Sequence, residues 1–122
     1  MARPLPVQLL STVRNVSEAS SVFEMATGIG TITIRGHLST GSKGWRLRAE
    51  AARRRSVVTI HITAIETADQ RLPDLEHHEY TATVRLAEAG RYSVRIAHAF
   101  LLRDQGGQGM PRPVFEDTAS VP

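Results

Sequence analysis

Leu86-Ala87-Glu88-Ala89-Gly90-Arg91-Tyr92-Ser93-Val94-Arg95-Ile96 is the stretch whose reading decides the fold. Leu86 closes an alternating run that begins at Glu79. Tyr80, Ala82, Val84 and Leu86 share one phase, and Glu79, Thr81, Thr83 and Arg85 share the other. Gly90 permits an abrupt change of direction, because without a Cβ it reaches positive φ without a clash. Alternation then resumes, with Tyr92, Val94 and Ile96 set against Arg91, Ser93 and Arg95. A period of two marks a strand with one buried face, so the stretch reads as strand, tight corner, strand. A tyrosine just past such a corner can bury its ring among the aliphatics and return its hydroxyl to the corner's backbone.

The flanking chain repeats the pattern. In Val57 to Glu66, Val58, Ile60, Ile62 and Ala64 alternate with Thr59, His61 and Thr63, and the β-branched density suits a central strand. Ile29 to Arg35 reads as a strand with Ile32 and Ile34 inward, closed by Gly36. His37 to Gly44 then reads as a Gly/Ser hairpin connection. Its Gly-Ser-Lys-Gly has neither the order nor the strand-to-helix setting of a phosphate loop. Trp45 to Arg55 alternates Trp45, Leu47, Ala49 and Ala51 with Arg46, Arg48, Glu50 and Ala52. Its Ala, Arg, Leu and Glu are also helix formers, but its β neighbours and short loops favour a strand, with a turn at Arg53 to Ser56.

Thr67 to His78 reads as a long polar loop that crosses between sheets. The strand from Arg91 runs to about Leu102, with His98 and Phe100 in the phase of Tyr92. Residues 103–113 read as a flexible Gly/Pro-rich loop, and Val114 to Val121 as a weak last strand. At the front, Pro4 and Pro6 fit an extended arm or edge strand within residues 1–14, because proline cannot donate to a ladder. Residues 15–22 read as a loop whose Asn15-Val16-Ser17 sequon is fortuitous, and Ser21 to Gly28 as a short edge strand. Six or seven turn-separated strands suggest a sandwich. Its expected core is Ile32, Ile34, Trp45, Leu47, Ala49, Val58, Ile60, Ile62, Tyr80, Val84, Leu86, Tyr92, Val94 and Ile96.

Leu86-x-x-x-Gly90-x-Tyr92-x-Val94-x-Ile96 resembles the tyrosine corner of fibronectin type III and other immunoglobulin-like sandwiches. The resemblance implies an all-β fold: a single immunoglobulin-like antiparallel β-sandwich of about seven strands over residues 1–122, cornered by Leu86, Gly90 and Tyr92. It also implies that the runs starting at Ile29, Trp45 and Glu79 lie in one sheet. Such sandwiches host unrelated functions, so the implication stops at the fold.

Composition bounds the rest. The 122 residues are 41% hydrophobic and 22% charged, which suits one core. Cysteine is absent, which excludes a disulfide framework and thiolate chemistry. No apolar run has the length of a membrane helix. Residues 1–12 are too short and proline-broken for a secretory h-region. The expected setting is bacterial, secreted or periplasmic after signal removal rather than cytoplasmic. The net charge is +3, and Lys43 is the one lysine among 15 basic residues. Coding bias toward arginine is the ordinary reading of that usage, and an arginine surface for phosphates or acidic polymers is the alternative.

Three groups of residues carry candidate chemistry. His37, His77, His78 and His98 could converge at one end of the sandwich as metal ligands, if the loops allow it. Arg35, Arg46, Arg48 and Arg85 would share an outer sheet face, and with the Arg53, Arg54, Arg55 turn they could meet a polyanion through bidentate contacts. Outward aromatics to stack bases are almost missing, so nucleic acid is not expected. No nucleophile elbow or paired carboxylates point to an enzyme, and no cofactor is called for. The expected function is a non-catalytic binding or assembly module whose arm and edge strands pair with a protein or with its own kind.

Overall fold

The computed structural model describes residues 2–14, 23–40, 44–67, 76–102 and 110–122. The Asn15 sequon, residues 41–43 of the Gly/Ser stretch and 103–109 of the Gly-rich loop lie outside them. The described residues form nine strands and no helix: β1 (Arg3–Leu5), β2 (Val7–Arg14), β3 (Glu24–Gly28), β4 (Thr31–Thr40), β5 (Trp45–Arg54), β6 (Val57–Glu66), β7 (Glu76–Arg85), β8 (Gly90–Leu101) and β9 (Arg112–Val121). None of them is therefore a helix long and apolar enough to cross a membrane.

Two sheets share the strands. One runs β1-β5-β6-β8-β9 and the other β2-β7-β4-β3. The inward residues of the two sheets meet in one core that includes Ile32, Ile34, Val58, Ile60, Ile62, Tyr80, Val84, Leu86, Tyr92, Val94 and Ile96, with Trp45, Leu47 and Ala49 partly buried against it. The phase of every expected core residue is thus the observed one.

Four expectations change. The count is nine rather than about seven, chiefly because the N-terminal run switches sheets at Pro6, which has no N–H for a ladder, and so becomes two strands. One ladder is parallel: Val58 lies beside Val94 and Ile60 beside Ile96. The chain leaves β6, crosses to the other sheet as β7 and returns as β8. Two reversals restore the direction of β6. Gly36 does not close a strand. Gly36 pairs with Tyr80 in the middle of β4, and the strand continues through His37 to Thr40. Lastly, His77 and His78 belong to a strand rather than a loop, because Ser39 and Leu38 of β4 give them partners.

The corner is observed. Tyr92 is 2% exposed, and its hydroxyl donates to the Glu88 carbonyl at 2.6 Å. Gly90 has φ +155°, which a side chain rarely adopts. The Leu86 amide donates to the Gly30 carbonyl at 2.8 Å, tying the corner to the β3–β4 turn. The Arg53 guanidinium lies 5.0 Å above the Tyr92 ring. Tyr92→Phe removes one hydrogen bond and leaves the ring, so it should cost about 1 kcal/mol in urea unfolding. An unchanged midpoint would contradict the corner's role.

Candidate functional site

The two ends of the sandwich differ. One end carries the tight turns at Ile29-Gly30 and Arg55-Ser56 and the Leu86 corner. At the other end, Thr40 pairs with Glu76, Trp45 with Glu66, and Arg14 with His77. The histidines gather near this second end but face different ways. His77 points outward, with Nδ1 2.5 Å from the Ser39 hydroxyl. His78 points inward and is 2% exposed. Its Nε2 is 3.0 Å from Glu76 Oε1, an ion-pair distance. Burial lowers the His78 pKa, and the Glu76 carboxylate opposes that shift only in part.

His98 lies between the sheets, with Nε2 2.7 Å from the Tyr80 hydroxyl. Burial and the neighbouring His37 bring its pKa down to about 4. Phe23 caps this region. Its ring centroid is 5.2 Å from His37, 6.1 Å from His98 and 5.4 Å from Phe115. The four histidines therefore split into an outward His77, a His78–Glu76 pair, and a His37–His98 neighbourhood under Phe23. No group of three or more His, Asp or Glu is placed to hold a metal ion among the described residues.

The arginines do not share a face. Arg35 (β4) and Arg85 (β7) lie in one sheet, and Arg46 and Arg48 (β5) in the other. The two outer faces of a sandwich point away from each other, so the expected common basic surface is divided. Some of these charges are also compensated. Arg35 is 3.8 Å from Glu24, Arg48 is 3.4 Å from Glu50, and Arg53 is 3.4 Å from Glu88. Arg54 and Arg55 stand exposed at the β5–β6 turn, where Arg55 takes φ +56° and its carbonyl accepts from Arg53 Nε at 2.6 Å.

The lateral sides of the sandwich give the clearest asymmetry. On one side β3 packs against β9, and the Phe23–Phe115 stack closes the gap between sheets. On the other side β2 packs against β5. A cleft of about 1080 Å³ lies mostly over the outer face of the five-stranded sheet beside β1, lined by Glu50, Ala52, Arg54, Thr59, His61 and Arg95 as well as by Leu5, Val7, Ala49 and Ala51.

The free strand edges differ in the same sense. Unpaired N–H and C=O groups on an edge invite another strand, and proteins guard them with shortness, proline, charge or a bulge. β1 has three residues, including Pro4. β3 has five, starting at Glu24 and ending at Gly28. β9 carries Pro113, Glu116 and Asp117, and its pairing with β8 is irregular at Ile96/Ala97. β2 is eight residues long, Val-Gln-Leu-Leu-Ser-Thr-Val-Arg, with no proline, no lysine and no charge before Arg14. Among the described residues it pairs only with β7. Leu10 and Val13 on it are 65% and 58% exposed. Sequence patterning could not single out this edge, because which strands end up as edges is a property of the assembled sheets. The visible signal was the uninterrupted, uncharged run from Val7 to Val13.

The arrangement defines an all-β protein of two facing sheets, sandwich-like. No known protein family, curated protein or solved structure matches the chain.

Proposed function

We propose that this chain is a non-catalytic β-sandwich binding or assembly module that accepts a further strand along β2. The observation that carries the reading is the β2 edge, among the described residues the one long edge of the four without proline, bulge or mid-strand charge. Strand addition suits such an edge, since main-chain hydrogen bonds supply affinity and alternate side chains supply specificity. The frame is best taken as immunoglobulin-like or fibronectin type III-like. The Tyr92 hydroxyl reaching back to Glu88 supports it, while the parallel β6–β8 ladder departs from the wholly antiparallel pairing of those sandwiches.

Leu10→Lys tests the reading. Leu10 points outward and is mostly exposed, so the change should move stability by no more than about 0.5 kcal/mol. It adds the kind of charge that guards natural edges. In sedimentation velocity from micromolar to millimolar concentration, the native chain should associate and Leu10→Lys should stay monomeric with the same melting temperature. A native chain that remains monomeric throughout, or a variant that associates equally, would overturn the proposal.

A further inference from the structure

We infer that the strand received by β2 is the β2 of a second copy, paired antiparallel about a two-fold axis through Leu10. This rests on the reading of β2 as an acceptor edge and goes further by naming occupant and register. A two-fold pairing is isologous, so one patch must complement itself. If both copies are to keep their cores on the same side of the extended sheet, each residue must lie opposite one of the same phase. A one-residue slip would put inward beside outward side chains. The sum of paired residue numbers is therefore even.

The ends of β2 narrow the choice. Pro6 precedes it and cannot donate, and Arg14 closes it with a charge. The uncharged span Val7 to Val13 has Leu10 at its midpoint. With the axis there, Leu10 meets Leu10, Gln8 meets Thr12, Leu9 meets Ser11 and Val7 meets Val13. The two exposed apolar residues of the strand, Leu10 and Val13, then both face apolar partners. An axis at Leu9 shortens the pairing to five residues a side. An axis at Ser11 sets Leu10 against Thr12. The Leu10 axis also turns the two β5 edges toward each other. β1 pairs with Ala51 to Arg53, so the rest of the β5 edge comes to lie at the junction.

The chain has no cysteine, so single-cysteine variants report the register directly. Directly opposed residues in an antiparallel pair have Cα atoms roughly 4.5–5.5 Å apart, within disulfide range. Leu10→Cys should form a disulfide-linked dimer under mild oxidation. It should do so roughly a hundredfold faster than Ala26→Cys on the β3 edge, because pairing raises the local thiol concentration to millimolar. Gln8→Cys and Thr12→Cys should crosslink well only when mixed. If the native chain dimerises but Leu9→Cys or Ser11→Cys outpaces Leu10→Cys, or Thr12→Cys links to itself, the register is wrong while the acceptor-edge reading survives. If the native chain dimerises and none of the β2 cysteines crosslinks, the second copy sits elsewhere. A native chain that is monomeric at millimolar concentration overturns the acceptor-edge reading and this inference with it.

Discussion

Gly36→Val should destabilise the protein by about 2–6 kcal/mol, the sum of an overpacking cost of about 1–3 kcal/mol and a broken buried hydrogen bond of similar size. A Cβ at Gly36 would lie 2.6 Å from the Tyr80 hydroxyl oxygen, 2.7 Å from Tyr80 Cζ and 2.7 Å from Phe23 Cε1. Real Cβ atoms essentially never approach so closely. Tyr80 is 1% exposed and has no free volume to retreat into. Moving it also pulls its hydroxyl from His98 Nε2. Against this stands the usual gain from removing a glycine inside a strand, roughly 0.5–1 kcal/mol. The steric cost exceeds that gain, so even Gly36→Ala should destabilise, by less than valine. For a domain stable by about 5–15 kcal/mol, the valine change takes a large fraction of the total. Urea unfolding measures it. Tyr80→Phe removes the nearest clashing atom, so the double change Gly36→Ala with Tyr80→Phe should cost less than the sum of the two single changes. Additive costs, or a valine variant as stable as the native chain, would show that Tyr80 does not occupy the place of a side chain at Gly36.

Gly36 also shows where local reading stops. A glycine after Thr31 to Arg35 is ordinarily a strand end. Here it is the gap into which Tyr80 fits, and Tyr80 sits on a strand that only the assembled sheet brings alongside. The inward and outward phases were legible, because alternation is a property of consecutive residues. The partners of each strand were not. β5 and β6 show the same period of two, and nothing in either says that β6 rather than β5 lies beside β8. The placing of β5 in the sheet opposite β4 and β7 split Arg35 and Arg85 from Arg46 and Arg48. His77 and His78 looked like loop because two histidines beside glutamates are polar. Burial of His78 needs Glu76 at 3.0 Å, a relation visible only in three dimensions. The corner was fully legible, since Leu86, Gly90 and Tyr92 act within one short stretch. The β2 edge was half legible: its freedom from proline and charge could be read, its place at the margin of a sheet could not.

Lowering the pH from 6.5 to about 4 should cost this protein stability on the order of 3 kcal/mol, largely through His98. Burial and the neighbouring His37 lower the pKa of His98 from 6.5 to about 4 in the folded protein. The sign follows from proton counting. Between those values the unfolded chain binds a proton at residue 98 and the folded protein does not. The unfolded state is therefore favoured as the pH falls. The full contribution is present above 6.5 and is lost on the way down to about 4. A gap of that width at about 1.4 kcal/mol per unit sets the scale. His78 adds in the same direction, its pKa also being lowered by burial. Burial raises the pKa of Tyr80, so its hydroxyl keeps its proton across this range. The hydroxyl is the hydrogen-bond partner of His98 Nε2 across the two sheets, and as a neutral group it offers no opposite charge to an imidazolium. Around His98 the facing groups are Tyr80, His37 and the ring of Phe23. No carboxylate forms an ion pair with His98 to hold a charge there, among the described residues. His98→Gln keeps a hydrogen-bonding group near the position of Nε2 and does not titrate. Urea midpoints measured across this pH range should fall steeply for the native chain and much less for His98→Gln. Parallel curves for the two proteins would assign the acid sensitivity to His78 and its Glu76 partner instead.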